Sequence, residues 1–135
     1  MSVLVDTGIV YAYYDRSDRW HDRAVALIGS EQQGLLLPAP VIPEIDHLLG
    51  ARLGSKSRRT FYAGIVDGYY LVADLPASGY TRVAELNRRF EALDIGFVDA
   101  AVIVIAEVLG LDRIATTDRR HFGPMAAALS LNIVP

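Results

Sequence analysis

Val3-Leu4-Val5-Asp6-Thr7-Gly8 is the stretch that decides the fold. Three consecutive apolar residues without polar alternation read as a short strand covered on both faces, and Asp-Thr-Gly reads as the way out of it. The same pattern recurs along the chain. Leu35-Leu36-Leu37 runs into Pro38, Tyr69 to Val72 follows Asp67-Gly68, Arg113 to Ala115 is a fourth strand and Leu131 to Val134 a fifth. Between them, helical spacing predicts helices over 9–14 and 19–33, the latter capped by Asp18 and stopped at Gly34. A further helix begins near Pro40 and holds Val41, Ile45, Leu48 and Leu49, and another runs over 57–66. A fifth is capped by Ser78 or Thr81 and reaches Leu93, with Val83, Leu86, Phe90 and Leu93 on one face. The sixth, 99–109, is apolar nearly all round and stops at Gly110; such a helix packs on both sides. Buried strands alternating with helices define an α/β fold with a central parallel sheet and helices on both faces.

The chain has 135 residues, suited to one domain spanning 1–135, and no linker, repeat or low-complexity tract divides it. A hydrophobic share of 52% supplies a core, and a mean hydropathy of +0.26 fits a globular chain. The apolar runs are too short or too interrupted by acids to span a membrane. No basic leader precedes the first strand, so a cytoplasmic location is the expectation. There are no cysteines, which excludes disulfides, thiolate metal sites and thiol nucleophiles. The net charge of −3 argues at first against nucleic acid. If acids are gathered at one site, however, the remaining surface is near neutral. Its cations are arginines, Lys56 being the only lysine, and arginine suits bidentate phosphate contact.

Four acids stand where an apolar run meets the next element. Asp6 closes the first strand, Glu44 interrupts Val41-Ile42-Pro43 and Ile45, Asp99 precedes Ala100 to Ala106, and Asp118 follows Ile114-Ala115-Thr116-Thr117. A carboxylate in such surroundings is costly unless it is paired or holds a metal. Three also have an ordinary structural role, Asp6 and Asp99 as helix caps and Asp118 as the start of a turn, whereas Glu44, in an otherwise apolar stretch, is hardest to dismiss. In parallel sheets ligands bind beyond the carboxyl ends of the strands, so Asp6 and Asp118 fall on the functional edge if both strands are parallel. Carboxylates without cysteine suit Mg or Mn, and two such ions about 4 Å apart support phosphodiester cleavage.

The order of these motifs carries a resemblance. Asp6-Thr7-Gly8-Ile9-Val10-Tyr11-Ala12, Pro40-Val41-Ile42-Pro43-Glu44-Ile45, Phe97-Val98-Asp99-Ala100-Ala101 and Thr116-Thr117-Asp118-Arg119-Arg120-His121-Phe122 resemble the four acidic motifs of PIN-domain nucleases. In particular they are similar to the VapC toxins of VapBC toxin–antitoxin modules. The resemblance spans Val3 to Pro135. It implies a three-layer α/β/α sandwich, a Mg- or Mn-dependent endoribonuclease hydrolysing RNA with metal-activated water, inhibition by a cognate antitoxin, and a homodimer. It also implies site roles: Asp6 and Asp99 as direct metal ligands, Glu44 and Asp118 completing the pocket, and Thr116 bonding a ligand water or orienting an acid. The chain has Gly8 where the family often has serine.

Other features have simpler readings. Asp94 is expected in a solvated loop, and Asp15, Asp18 and Asp22 mix with Arg16, Arg19 and Arg23 at the start of a helix. His47 shares the helix face of Glu44 and is expected to be half-buried and hydrogen-bonded. Arg119, Arg120 and His121 could meet RNA phosphates, as could Arg52, Lys56, Arg58 and Arg59. Tyr11, Tyr13, Tyr14 and Trp20 are expected to pack between the first two helices, or to form an antitoxin or dimer face. Tyr62, Tyr69 and Tyr70 are open between core and surface. Two alternatives remain beside the nuclease: a catalytically silent PIN-fold binding module, and a phospho-accepting receiver domain. The receiver needs a lysine after a late strand, where Lys56 does not lie.

Overall fold

The computed structural model describes residues 2–31 and 34–135. Five strands form one sheet: β1 (Val3–Val5), β2 (Leu35–Pro38), β3 (Tyr70–Ala73), β4 (Arg113–Ala115) and β5 (Asn132–Val134). Their order is β3-β2-β1-β4-β5 and every ladder is parallel. The chain builds outward from β1 through β2 to β3, then returns to the other side of β1 with β4 and β5. The sheet therefore has its topological switch point between β1 and β4, the crevice where open parallel sheets bind ligands.

Helices α1 (Thr7–Tyr14) and α2 (His21–Ser30) join β1 to β2; α3 (Ile42–Arg52) and α4 (Ser55–Val66) join β2 to β3. α5 (Tyr80–Arg89) and α6 (Phe97–Leu109) join β3 to β4, and α7 (Arg119–Leu129) joins β4 to β5. Val3, Leu4 and Val5 are all buried, as a strand covered on both faces requires. α6 buries seven consecutive residues, Ala100 to Ala106. Each fully buried Val or Ile there contributes about 1.5–3 kcal/mol. The helix stops at Gly110, whose φ of 67° is the left-handed conformation glycine adopts without strain.

Several boundaries differ from the sequence expectation. α2 ends at Ser30, and the last two residues of the expected helix, Gln32 and Gln33, lie outside the described residues. Asp18 does not cap α2 directly; its carboxylate accepts from the backbone N–H of Trp20 and shapes the turn before it. Neither Ser78 nor Thr81 caps α5, because a single 3-10 turn over Ala77–Gly79 leads into it. α5 itself stops at Arg89 rather than Leu93. α6 begins two residues earlier than expected, at Phe97, so Asp99 lies inside its first turn and Gly96 takes the cap position.

α7 has no counterpart in the sequence reading. Gly123 and Pro124 lie inside it and read as breakers, since proline removes a helix hydrogen bond. The helix persists because Phe122 and Met125 are fully buried.

The first helices bury their aromatics against α4 and β3 rather than only against each other. Tyr14 meets Phe61 edge-on and shares a 2.9 Å hydrogen bond with Tyr70, which is buried. Tyr62 and Tyr69 remain exposed. Among the described residues no helix is long and apolar enough to cross a membrane.

Candidate active site

The direction of the chain delivers the acids to one edge. Asp6 leaves the carboxyl end of β1, and Asp118 follows β4 by three residues. α6 finishes just before β4 starts, so it runs against the strands. At about 1.5 Å per residue its 13 residues span about 20 Å, which places its first turn, with Asp99, at the carboxyl edge. β2 passes through a 3-10 turn over Ala39–Val41 directly into α3, whose first turn holds Glu44. Two acids thus leave strands at this edge and two enter it on helix starts.

Asp6 sits at the head of α1 but does not use its side chain as a cap. Its carboxylate turns inward, is only 6% exposed, and accepts a 2.8 Å hydrogen bond from the hydroxyl of Thr116. The Thr116 hydroxyl in turn accepts the backbone N–H of Asp118 at 3.0 Å. Thr116 is wholly buried, and its own N–H is held by the carbonyl of Val134. The backbone N–H of Asp6 bonds the carbonyl of Ala115 at 2.8 Å, tying the ends of β1 and β4 together. This buried threonine therefore links the first acid to the last.

Burial pushes the carboxyl of Asp6 up to about 7, against the hydrogen bonds from Thr116 and the Thr7 backbone. The negative charges of Asp99 and Glu44 push it in the same direction. Asp99 is also raised, by burial first and then by Asp118, with Glu44 adding and His121 opposing. Asp6, Glu44, Asp99 and Asp118 are thus joined in one field of like charge. Glu44 is exposed and is oriented by Thr7, whose hydroxyl donates to its Oε1 at 2.5 Å.

His121 joins this group, although the sequence places it with the loop cations Arg119 and Arg120. It lies in the first turn of α7, with Nδ1 2.8 Å from Asp118 Oδ2 and 4.0 Å from Asp99 Oδ2. The bond to Asp118 is the main reason its imidazole holds its proton more firmly than usual. Asp118 is the helix cap of α7, accepting the backbone N–H of His121. Asp99, Asp118 and His121 each present a ligand atom, and the three atoms lie within 4.8 Å of one another. The signal in the sequence was the i, i+3 spacing of Asp118 and His121 on a helix that the Gly-Pro pair concealed.

Gly8 is where α1 meets the loop after β4. A Cβ built there would come 2.1 Å from Thr117 Oγ1 and 3.3 Å from Thr117 Cβ. The Thr117 side chain thus occupies the space that a residue larger than glycine would claim.

The remaining candidates separate from the acids. Asp94 is exposed at a left-handed turn, φ 51°. His47 is exposed and has no hydrogen bond among the described residues, contrary to the half-buried, bonded histidine expected. His21 Nδ1 binds the carbonyl of Ala12 and serves the packing of α2 on α1. In the basic stretch, Arg58 pairs with Asp46 at 3.0 Å and Arg52 leans on the ring of Tyr11. Arg119 bonds the carbonyl of Pro135 and lies over Trp20, which Arg23 covers at 3.9 Å.

A parallel sheet with carboxylates at its carboxyl edge defines the α/β arrangement, and Asp99, Asp118 and His121 form a group able to hold a metal ion. The chain belongs to the PIN domain family, whose model matches residues 3–126. It is 27% identical over 123 residues to ribonuclease VapC26 of Mycobacterium tuberculosis, covering 91% of each chain. Its fold is similar to that of VapC20 of the same organism, a sarcin-ricin loop cleaving toxin. That match has a TM-score of 0.83 and 21% identity, covering 98% of this chain and 99% of that one. A toxin–antitoxin complex from Klebsiella pneumoniae matches with a TM-score of 0.72 and 14% identity, over 98% and 96% of the two chains. Membership of this family answers the receiver-domain alternative, and Lys56 lies in the first turn of α4 rather than after a strand.

Proposed function

We propose that this chain is a Mg- or Mn-dependent endoribonuclease and the toxin of a toxin–antitoxin pair. One observation carries the reading. Asp6 is buried and raised to about 7 in the company of Asp99 and Glu44, while Asp99 meets Asp118. Like charges gathered in a partly buried pocket are unfavourable by themselves and favourable around a divalent cation. The donor set is mostly carboxylate oxygen, which fits Mg and Mn.

Asp6 and Asp99 would hold the cation directly, with Glu44 and Asp118 completing the pocket. Such a cation, when bound, activates water and offsets the negative charge that builds on a phosphodiester under attack. The chain's own residues supply position. Thr116 fixes the rotamer of Asp6, and Thr7 fixes Glu44. His121 holds Asp118 toward Asp99 and brings a proton beside them. In-line attack of water on phosphorus breaks the bond to the 3′ oxygen, leaving 5′-phosphate and 3′-hydroxyl ends.

The relatives support the biological role, since one is a ribonuclease and another is a toxin–antitoxin complex. An antitoxin, and a second copy in a cytoplasmic homodimer, need apolar surface on which to dock. The edge strand β3 leaves Leu71 and Val72 exposed near Tyr69 and Val66, and open sheet edges invite a partner. The test is cleavage of structured RNA with Mg or Mn, against EDTA and Asp6→Asn. Cleavage that persists in both controls would overturn the metal reading. Manganese titration separates the enzyme from a silent binding module, which would show no acid-dependent binding. A small antitoxin-like reading frame beside the gene would support the toxin role.

A further inference from the structure

Beyond the acids, the carboxyl edge of the sheet holds a pocket of about 400 Å³. That volume is at the lower end of ligand sites, roughly 300–1,000 Å³. It is lined by Ala39, Pro40, Asp74, Leu75, Tyr80 and Phe97. Its walls are the same elements that carry the acids. Phe97 opens α6 two residues before Asp99, and Pro40 stands in the turn that leads to Glu44. The pocket thus adjoins the helix starts that bear Glu44 and Asp99.

Two features of the pocket select an occupant. The first is an aromatic pair: the rings of Tyr80 and Phe97 stack with centroids 6.1 Å apart and planes 27° apart, and both side chains are about half exposed. Gly79 permits this. It is buried, and a Cβ there would come 2.9 Å from Leu75 and 3.1 Å from Val104 of α6. A larger residue would have to displace the Leu75 and Val104 side chains, so glycine lets the turn lie close to α6 with Tyr80 beside Phe97. Half-exposed aromatic faces next to a phosphodiester site suit unpaired bases, which stack on them.

The second feature is Asp74. It is exposed and, among the described residues, has no ion pair or hydrogen bond. An ionised carboxylate repels phosphate, so the backbone of a nucleic acid would avoid this pocket and a base would enter it. The carboxylate only accepts hydrogen bonds. Guanine alone among the four RNA bases presents two adjacent donors, N1–H and N2–H, that a carboxylate can grip at once. Adenine and cytosine place a ring acceptor beside their single amino group, and uracil flanks its one donor with carbonyls.

We propose that this pocket is a base subsite which selects an unpaired guanine next to the cleaved phosphodiester, with Tyr80 and Phe97 as the stacking surface and Asp74 as the reader. The proposal rests on the ribonuclease function above.

Its test uses the full chain with Mn and short unpaired RNAs carrying guanine, inosine or adenine at one position. Inosine lacks the N2 amino group. Wild-type protein should prefer guanine over both. Tyr80→Ala and Phe97→Leu should lower kcat/KM on the guanine RNA by roughly tenfold to a hundredfold, the scale of a lost stacking contact. Asp74→Asn should erase the preference between guanine and inosine, because the amide meets only the N1–H and O6 that both bases share. In parallel, amide NMR of the metal-free protein titrated with guanosine or adenosine reads the pocket without cleavage. Guanosine should shift Asp74, Tyr80 and Phe97 selectively. RNA cleavage equal in all variants overturns the subsite and leaves the ribonuclease reading intact. Selective guanosine shifts without RNA cleavage by any form keep the pocket and overturn the ribonuclease reading. Neither shifts nor cleavage overturns both.

Discussion

The hydroxyl of Thr116 donates to Asp6 Oδ2 across the crevice between β4 and β1, 2.8 Å from oxygen to oxygen. Both groups are buried, and the same hydroxyl oxygen receives the N–H of Asp118. One side chain therefore sets the aim of one acid and the backbone position of another. Thr116→Val keeps the shape and removes both bonds. We expect it to cost about 1–3 kcal/mol of stability, the scale for leaving buried polar groups unpaired. Manganese affinity should fall as well, because Asp6 is no longer held. Denaturant unfolding and calorimetric titration of the same variant read the two effects. Thr116→Ser, which restores the hydroxyl, should recover most of both.

The raised carboxyl of Asp6 makes a prediction about pH in metal-free protein. A group that ionises at about 7 when folded and near 3.8 when unfolded stabilises the fold fully at acid pH. That contribution is lost as pH rises through this interval. The gap corresponds to roughly 4 kcal/mol. Asp99 and His121 are also raised and act in the same direction. The metal-free protein should therefore have a lower Tm at pH 8 than at pH 5. Asp6→Asn keeps an acceptor for Thr116 and removes the charge, so it should raise the Tm at pH 8 and flatten the slope. Manganese should raise the wild-type Tm at pH 8 and leave that of Asp6→Asn nearly unchanged. A wild-type Tm that rises from pH 5 to pH 8 without metal would contradict this account of the site.

The strands and the crevice are legible because buried parallel strands are short, apolar and unalternating, and because Asp6 directly follows one of them and Asp118 follows another by three residues. The convergence of Glu44 and Asp99 was less so, since their spacing in the chain says nothing about helix direction. The direction follows once β3, β2, β1, β4 and β5 are known to be parallel, because α3 must leave this edge and α6 must start from it. α7 was hidden by Gly123 and Pro124, whose local preference is outweighed by the burial of Phe122 and Met125. With α7 hidden, the register that turns His121 back onto Asp118 was hidden too. The pocket at Tyr80 and Phe97 joins residues distant in sequence through a close approach at Gly79, which no periodicity reveals.

Gly8 and Thr117 share one volume, and that makes them a testable pair. Gly8→Ala forces its new methyl against the Thr117 hydroxyl, 2.1 Å from where the Cβ would lie. Overpacking of this kind costs about 1–3 kcal/mol. Removing the hydroxyl relieves it, since the Thr117 Cβ is 3.3 Å away. Gly8→Ala combined with Thr117→Ala should be more stable than Gly8→Ala alone, with a coupling of about 1 kcal/mol or more in a double-mutant cycle. Additive effects would show that the loop after β4 moves aside freely and that Gly8 is not needed for contact.

His121 supplies the sharpest separation between the acids as a set and the acids as individuals. Its Nδ1 is bonded to Asp118 and stands 4.0 Å from Asp99, so it can act on the site only by orienting Asp118 or by ligating a cation beside it. His121→Gln retains a polar side chain on α7 and loses the imidazole. If His121 orients Asp118, manganese affinity should fall by roughly 10–100-fold, as for other residues that hold a ligand in place. The fall should be far smaller in an Asp118→Asn background, where there is no carboxylate left to orient. The pH dependence discriminates further. Below the raised pKa of its imidazole, wild-type His121 is cationic and opposes a metal; above it the neutral ring does not. Wild-type manganese affinity should therefore climb more steeply with pH than that of His121→Gln. Calorimetric titrations at several pH values read that difference directly, and equal slopes would remove His121 from the site.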